Sequence, residues 1–380
     1  MPNQEVLILD SIERWLSRDV APYVHDLDQA DEYPHEMVEQ MKQIGLFGAT
    51  ILPEYGGLGL SASTYSKIVS AVSEVWMSLS GIFNSHLIMA RCVQSYGTEE
   101  QKQTWLPRFA SGELRGGIGL TEPGAGTDLQ GIRSSAKKDG DYYLINGTKS
   151  WITNSLEGDV IGLLVKTDLT ISPAHKGMSM FIAEKAPGFN VTRKLKKLGY
   201  KGIDTAEISF EAYRVHKDCL VGGIEGQGFY HTMGGLELGR INVAARGVGV
   251  ATAALKQATA YSQQRKTFGK PICEHQAIQL KLGEMATRTE AARLLVEQAA
   301  QAFDRGQRCD MEAGMAKYFA SEAAAKNADE NMRIHGAYGY SCEFDAERLY
   351  RDAPLMIIGE GTNEMQRIII ARQLIKRNPI

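Results

Sequence analysis

Cysteine is scarce: five in 380 residues, at Cys92, Cys219, Cys273, Cys309 and Cys342, with no CxxC pair. That scatter indicates neither a disulfide framework nor a zinc knuckle, and it fits a reducing compartment. Long runs of like charge are missing too, and 42 basic residues nearly balance 45 acidic ones for a formal net charge of −3. No nucleic-acid surface or polybasic membrane patch is indicated, so partners should be small molecules or proteins. No apolar run approaches the roughly 18 residues that span a bilayer. The N-terminus, MPNQEVLILDSIERWLSRDV, carries charges within its apolar stretch and has neither a signal-peptide layout nor an acid-poor transit-peptide composition, which reads as cytoplasmic. No GxGxxG follows a strand and opens a helix, and no Walker loop is present, so nicotinamide-type and nucleotide-hydrolysing chemistries lose their anchors. None of the eight histidines falls in HExxH or another metal spacing, and no metal is expected.

The length implies two or three domains. Apolar residues recur at helical spacing at Val6, Leu9, Ile12 and Leu16, then at Met37, Met41, Ile44 and Leu46. Gly45, Gly48 and the segment 53–59 break the pattern; a helical run over 63–75 passes through a segment containing Gly81 into another over 87–96, and Thr98 with Gln101 reads as a capping box. Residues 1–115 are thus expected to form an N-terminal α-helical domain. From 116 to 228 the chain changes to short apolar runs bounded by turn residues, GGIGL, YYLING, VIGLLVK, MSMFI, FNVTR and AEISF, the pattern of a β-barrel or sandwich. Helical periodicity returns at Ile278, Leu282, Met285, Thr289, Ala292, Val296, Ala299 and Phe303, and runs over 313–334 and 363–375 complete a C-terminal four-helix bundle within 229–380. The fold class is α+β, in the order helical, β, helical.

Three blocks carry chemistry. Ile358-Gly359-Glu360-Gly361-Thr362 places a carboxylate between two glycines in apolar company, as a base that removes a proton from carbon requires. Thr121 to Asp128, TEPGAGTD, offers hydroxyls at Thr121 and Thr127, with Gly124 and Gly126 exposing backbone N–H groups to a flat or anionic partner. The third block is WITN, Trp151 to Asn154. In this order and spacing they resemble the acyl-CoA dehydrogenase family of flavoenzymes, over nearly the whole chain.

The resemblance implies FAD as cofactor and α,β-dehydrogenation of an acyl-CoA to a trans-2-enoyl-CoA, with Glu360 taking the α-proton. It places Leu120, Thr121, Gly126 and Thr127 along the flavin, Trp151, Ile152 and Thr153 over its other side, and Arg265, Phe268 and Gln276 on the phosphates and adenosine of a neighbouring subunit. Arg333, Gly336 and Ala337 fall where the family has a glutamine and two adjacent glycines; this chain departs there, and His335 reads as capping or packing. Thr362 and Glu364 are expected to support the flavin or cap the last helix. Thr127, Glu237, Arg240 and Gly361 are expected at the substrate. A subset of the family carries its base one position before that arginine, where this chain has Gly239. Electron-transferring flavoprotein is the implied acceptor and a homotetramer, a dimer of dimers, the implied assembly.

Many straight-chain members carry a tyrosine where Gly359 stands, so a branched or bulky acyl group is expected. Trp76 lies near where glutaryl-specific relatives have an arginine, which disfavours a dicarboxylic substrate unless another cation serves. Dehydrogenation of an acyl-carrier-protein thioester, an oxygen-using acyl-CoA oxidase, and a helical scaffold that only binds acyl thioesters are the competing readings.

Overall fold

The computed structural model describes residues 4–380. It begins with helices α1 (Gln4–Trp15), α2 (Val24–Ala30), α3 (His35–Gln43), α4 (Ala62–Tyr96) and α5 (Glu99–Ala110). The periodic apolar residues Ile12, Leu16, Met37, Met41 and Leu46 meet in one core. Thr98 and Gln101 form the expected capping box, each side chain accepting from the other's backbone N–H. The expected interruption around Gly81 is absent. Helix α4 breaks only at Trp76 (φ −154°, ψ 107°), one residue past the predicted run, and resumes at once. Gly81 stays helical because it is needed for space: a Cβ there would lie 1.5 Å from the Tyr200 hydroxyl.

The middle of the chain forms one curled seven-stranded sheet in the order β1 (Gly116–Gly119), β4 (Val160–Lys166), β2 (Ser135–Asp139), β3 (Tyr142–Thr153), β7 (Thr205–His216), β6 (Phe189–Lys194), with β5 (Met178–Glu184) paired to β4. Each of the six apolar runs becomes a strand. Strand β2 escapes sequence reading because Lys137, Lys138 and Asp139 are exposed and leave no apolar alternation. Strands β3 and β7 form the longest pairing, and its register shifts between Lys149 and Ile152. That bulge turns Trp151 outward at φ 63°, as bulges beside functional sites commonly re-aim a side chain.

Helix α6 (Gly228–Gln264) leads through the hairpin β8 (Lys266–Thr267) and β9 (Lys270–Pro271) to α7 (Gln276–Asp304), α8 (Asp310–His335), α9 (Ala346–Ile358) and α10 (Asn363–Arg377). Helix α8 is central and touches α6, α7, α9 and α10. The predicted α7 stripe is sound, with Met285, Ala292, Val296 and Ala299 buried. Helix α6 gives no stripe because it is buried on nearly every side between α4 and α8, and a helix apolar all round has no periodicity to read. Glycines allow the approach: a Cβ at Gly249 would lie 2.4 Å from the Ser70 carbonyl oxygen on α4, and one at Gly247 2.7 Å from that of Ala320 on α8. Among the described residues no helix is long and apolar enough to cross a membrane, and no group of His, Cys, Asp and Glu side chains could hold a metal ion.

Two glycine substitutions test this packing. Gly249→Ala should lower the unfolding free energy by about 1–3 kcal/mol through overpacking. Gly283→Ala, in open space on α7, should raise it by about 0.5–1 kcal/mol. Urea unfolding of the two variants reads the difference; a neutral Gly249→Ala would contradict the close approach.

Candidate active site

Helix α9 stops at Ile358, where the Gly359 N–H bonds the Leu355 carbonyl, and the chain then turns through two left-handed residues, Glu360 (φ 53°) and Gly361 (φ 86°). Glycine takes that conformation freely, whereas glutamate carries about 1–2 kcal/mol of strain. The strained turn is gripped from below. Lys317, fully buried on α8, donates through Nζ to the carbonyls of Ile357 (3.2 Å) and Gly361 (2.8 Å) and to Asn363 Oδ1 (2.9 Å). Burial pulls its pKa down to about 8 against the opposing pull of Glu360, Glu364 and Glu322. Thr362 Oγ1 accepts from the Met365 N–H and caps α10, one of its two expected roles. Glu364 is exposed and paired with Arg367.

The Glu360 carboxylate points to a wall built by α4 and α6. Its Oε1 accepts from Asn84 Nδ2 (3.0 Å) and faces Arg246 Nη2 at 3.6 Å, while Oε2 is buried with no hydrogen-bond partner. Burial raises the carboxyl pKa, although Arg246, Lys317, Asn84 and Arg240 pull the other way. Gly239 makes room for it, since a Cβ there would lie 2.7 Å from Oε2 and 3.0 Å from Ile88 Cδ1. Glu237 faces elsewhere, its Oε1 accepting from the N–H and thiol of Cys309 (both 3.3 Å) just before α8, and Arg240 lies 3.6 Å from Asp310.

The other two blocks meet at the sheet. The Ser150 N–H bonds the Thr121 carbonyl (2.8 Å), and fully buried Lys149 ties the Leu120 carbonyl (3.0 Å) to the Glu122 carboxylate (2.8 Å). Trp151 is 59% exposed, a large ring held outward beside a loop whose Gly124 has nothing within 4 Å of a built Cβ and whose Gly126 has only a Thr121 methyl at 3.8 Å. An uncovered aromatic face beside free backbone donors fits the flat ring and anionic tail of a flavin dinucleotide. Ile152 points into the sheet core, so it offers a ligand its backbone alone. Asn154 Nδ2 donates to the carbonyls of Ile82 and Gly116, and Gly117 packs between the Thr153 carbonyl and Ser85. Residues 82–85 of α4 therefore bridge the Trp151–Thr153 strand end to Asn84 and Glu360.

A third group lies on the surface of α6–α8. Phe268 (φ 51°) is 97% exposed at the hairpin tip and meets His275 edge-on; Arg265 lies over the Tyr338 ring, and Gln276 is exposed at the start of α7. Arg333 pairs with Asp329 (2.7 Å), while Gly336 and Ala337 are exposed. His335 is buried, stacks on Tyr261 and bonds the Asn331 carbonyl, so it packs.

Sequence reading missed Lys317, Arg246 and Asn84. The available signal was a lone charge inside an apolar run, Lys317 in AGMAKYFA and Arg246 in NVAARGVGVA. Lys317→Met leaves two backbone carbonyls and Asn363 without their charged donor. It should lower the unfolding free energy by about 1.5–3 kcal/mol; an unchanged urea midpoint would contradict the clamp.

Family models for the acyl-CoA dehydrogenase N-terminal, middle and C-terminal domains match residues 2–113, 117–213 and 226–375. The (2S)-methylsuccinyl-CoA dehydrogenase of Cereibacter sphaeroides is 38% identical over 97% of this chain and 69% of its own length; the 3-(aryl)acrylate reductase of Clostridium sporogenes is 39% identical over 98% and 99%. The butyryl-CoA dehydrogenase of Megasphaera elsdenii superposes with a TM-score of 0.95 at 34% identity, over 99% of both chains. With all three domain models matched in order and the fold shared end to end, the chain belongs to the acyl-CoA dehydrogenase family of FAD-dependent oxidoreductases.

Proposed function

We propose that this protein oxidises the α,β-bond of a branched or otherwise bulky acyl-CoA, with Glu360 as the base that takes the α-proton. The observation that carries the reading is the buried, unpartnered Oε2 of Glu360 in the space left by Gly239. A carboxylate with one buried oxygen free of hydrogen bonds is poised to accept a proton from carbon. Bound FAD supplies the acceptor for the β-hydride. Trp151, Thr153 and residues 121–127 would hold the flavin, and Thr127 the pantetheine arm. The Glu360 N–H would donate to the thioester carbonyl, where charge develops as the α-proton leaves. Arg240 and Gly361 would lie at the thioester.

A second copy of the chain completes each site. Phe268 projects almost uncovered beside Arg265, an arrangement suited to reaching a neighbour's cofactor phosphates with a planar cation. Membership of the family supports a homotetramer with electron-transferring flavoprotein as acceptor. Gly359 sets no side chain immediately before the base, and two relatives carry names of branched or aryl substrates, (2S)-methylsuccinyl-CoA and 3-(aryl)acrylate.

Anaerobic titration of the holoenzyme with butyryl-, isobutyryl- and arylpropionyl-CoA tests both parts. Bleaching of the oxidised flavin band should be fastest with a bulky thioester, and Glu360→Gln should abolish bleaching while retaining thioester binding. A clear butyryl preference would sink the bulky-substrate reading, and bleaching by Glu360→Gln would sink the base assignment.

The pH dependence has a defined sign. With its pKa raised above the ordinary value of 4.5, Glu360 loses its ionised form as pH falls through that raised value, so the acid limb of kcat/KM should lie above the usual carboxylate range. The folded state also holds this proton more tightly than the unfolded chain, so Glu360's contribution to stability is present at low pH and lost as pH rises through the raised pKa. A kcat/KM profile flat down to pH 4.5 would contradict the shift.

A further inference from the structure

Between residues 241 and 254 of α6 the only charged side chain is Arg246, and it is 4% exposed. Two edges of its guanidinium are taken. Nε donates to Asn242 Oδ1 (2.7 Å), whose amide in turn donates to the buried Tyr65 hydroxyl (2.8 Å), and Nη1 donates to the Tyr200 hydroxyl (3.0 Å). Tyr200 is itself fixed, its N–H bonding Asp352 Oδ1 at 2.6 Å and its hydroxyl lying in the space that Gly81 leaves. The third edge is different. Among the described residues Nη2 makes no hydrogen bond, and its ion-pair partner is Glu360 Oε1 at 3.6 Å, beyond hydrogen-bond length.

This cation is therefore held rigidly from behind and presents a free donor edge toward the base. If Glu360 were its whole partner, the contact would be lost at the decisive moment: once Glu360 takes a proton the negative charge passes to the substrate, and Nη2 no longer faces an anion. A substrate that brings its own anion removes that difficulty at every stage.

We infer that Arg246 closes the far end of the acyl site and binds a carboxylate there, so that the substrate is the CoA thioester of a short dicarboxylic acid. This rests on the proposed dehydrogenation with Glu360 as base. Reaction geometry sets the length. The base must come within about 3–3.5 Å of the α-carbon, and a charge-assisted bond from Nη2 to a carboxylate spans about 2.8 Å. With Nη2 3.6 Å from Oε1, about one to three carbons fit between the thioester carbonyl and the distal carboxylate. Oxidation needs a β-carbon, so the shortest workable case has two. In the reaction Glu360 would take the α-proton and bound FAD would supply the acceptor for the β-hydride, while the distal carboxylate would be unchanged. Arg246 is the further cation that Trp76, at the break in α4, does not supply.

The test compares anaerobic flavin reduction of the holoenzyme by 2-methylsuccinyl-CoA and glutaryl-CoA with reduction by their ω-methyl esters, which differ from them chiefly in charge. At least one diacid thioester should exceed its ester tenfold or more in kcat/KM, and Arg246→Gln should bring that ratio near one, with Arg246→Lys retaining part of it. Esters reduced as fast as diacids would overturn the inference and leave the dehydrogenase reading standing, whereas flavin reduced by no thioester would overturn both. A preference that survives Arg246→Gln would also overturn it, because a residue that only tunes the base moves the pH profile of every substrate alike. Should Arg246→Gln fail to fold, calorimetric titration of Glu360→Gln holoenzyme supplies the second measurement. The diacid thioester should bind at least tenfold more tightly than the ester; equal affinities would overturn the proposal.

Discussion

A single buried ammonium supports the geometry of the candidate site. Lys317 bonds the carbonyls on both sides of Glu360, and Asn363, its third acceptor, is held in turn by Ser321 and Glu322 on the same helix. A glutamate in the left-handed region would relax if its neighbours were free to turn. Held at both ends, the turn keeps the side chain aimed at α4 and α6, where burial raises its proton affinity.

The large architecture serves the same few atoms. Helices α4 and α6 approach closely because Gly235, Gly239 and Gly249 have no side chains, and the wall they form presents Asn84, Gly239 and Arg246 to one carboxylate. On the sheet side, the β3 bulge sets Trp151 outward, while Asn154 fastens that strand end to the α4 carbonyl of Ile82. Under the proposed roles the proton acceptor and the flavin face stand on different elements, each bonded to α4, as removal of a proton and a hydride from opposite sides of a substrate requires.

Much of this was legible in the sequence because it is local. Turn glycines around Glu360, the exposed-backbone pattern of TEPGAGTD, the capping box at Thr98 and the short strands all depend on neighbours a few residues away. What escaped was long-range or lacked periodicity. Buried on nearly every side, α6 shows no apolar stripe; β2 is largely polar; and the break in α4 falls at Trp76 instead of at Gly81, whose bare Cα receives a tyrosine from 119 residues further on. The contacts of Lys317, Arg246 and Asn84 emerge only on folding: Asn84 and Arg246 meet Glu360 across sequence separations of 276 and 114, and Lys317 meets the Gly361 carbonyl across 44. A charged residue inside an alanine-rich run was the trace they left.

The central claim, that Glu360 removes the α-proton, is tested most directly without any redox step. 3,3-Dimethylbutyryl-CoA has α-hydrogens and no β-hydrogen, so exchange of its α-hydrogens in deuterated buffer, followed by proton NMR, isolates proton transfer. Holoenzyme should catalyse the exchange and Glu360→Gln should bind the thioester without exchanging it; equal exchange by both proteins would contradict the account.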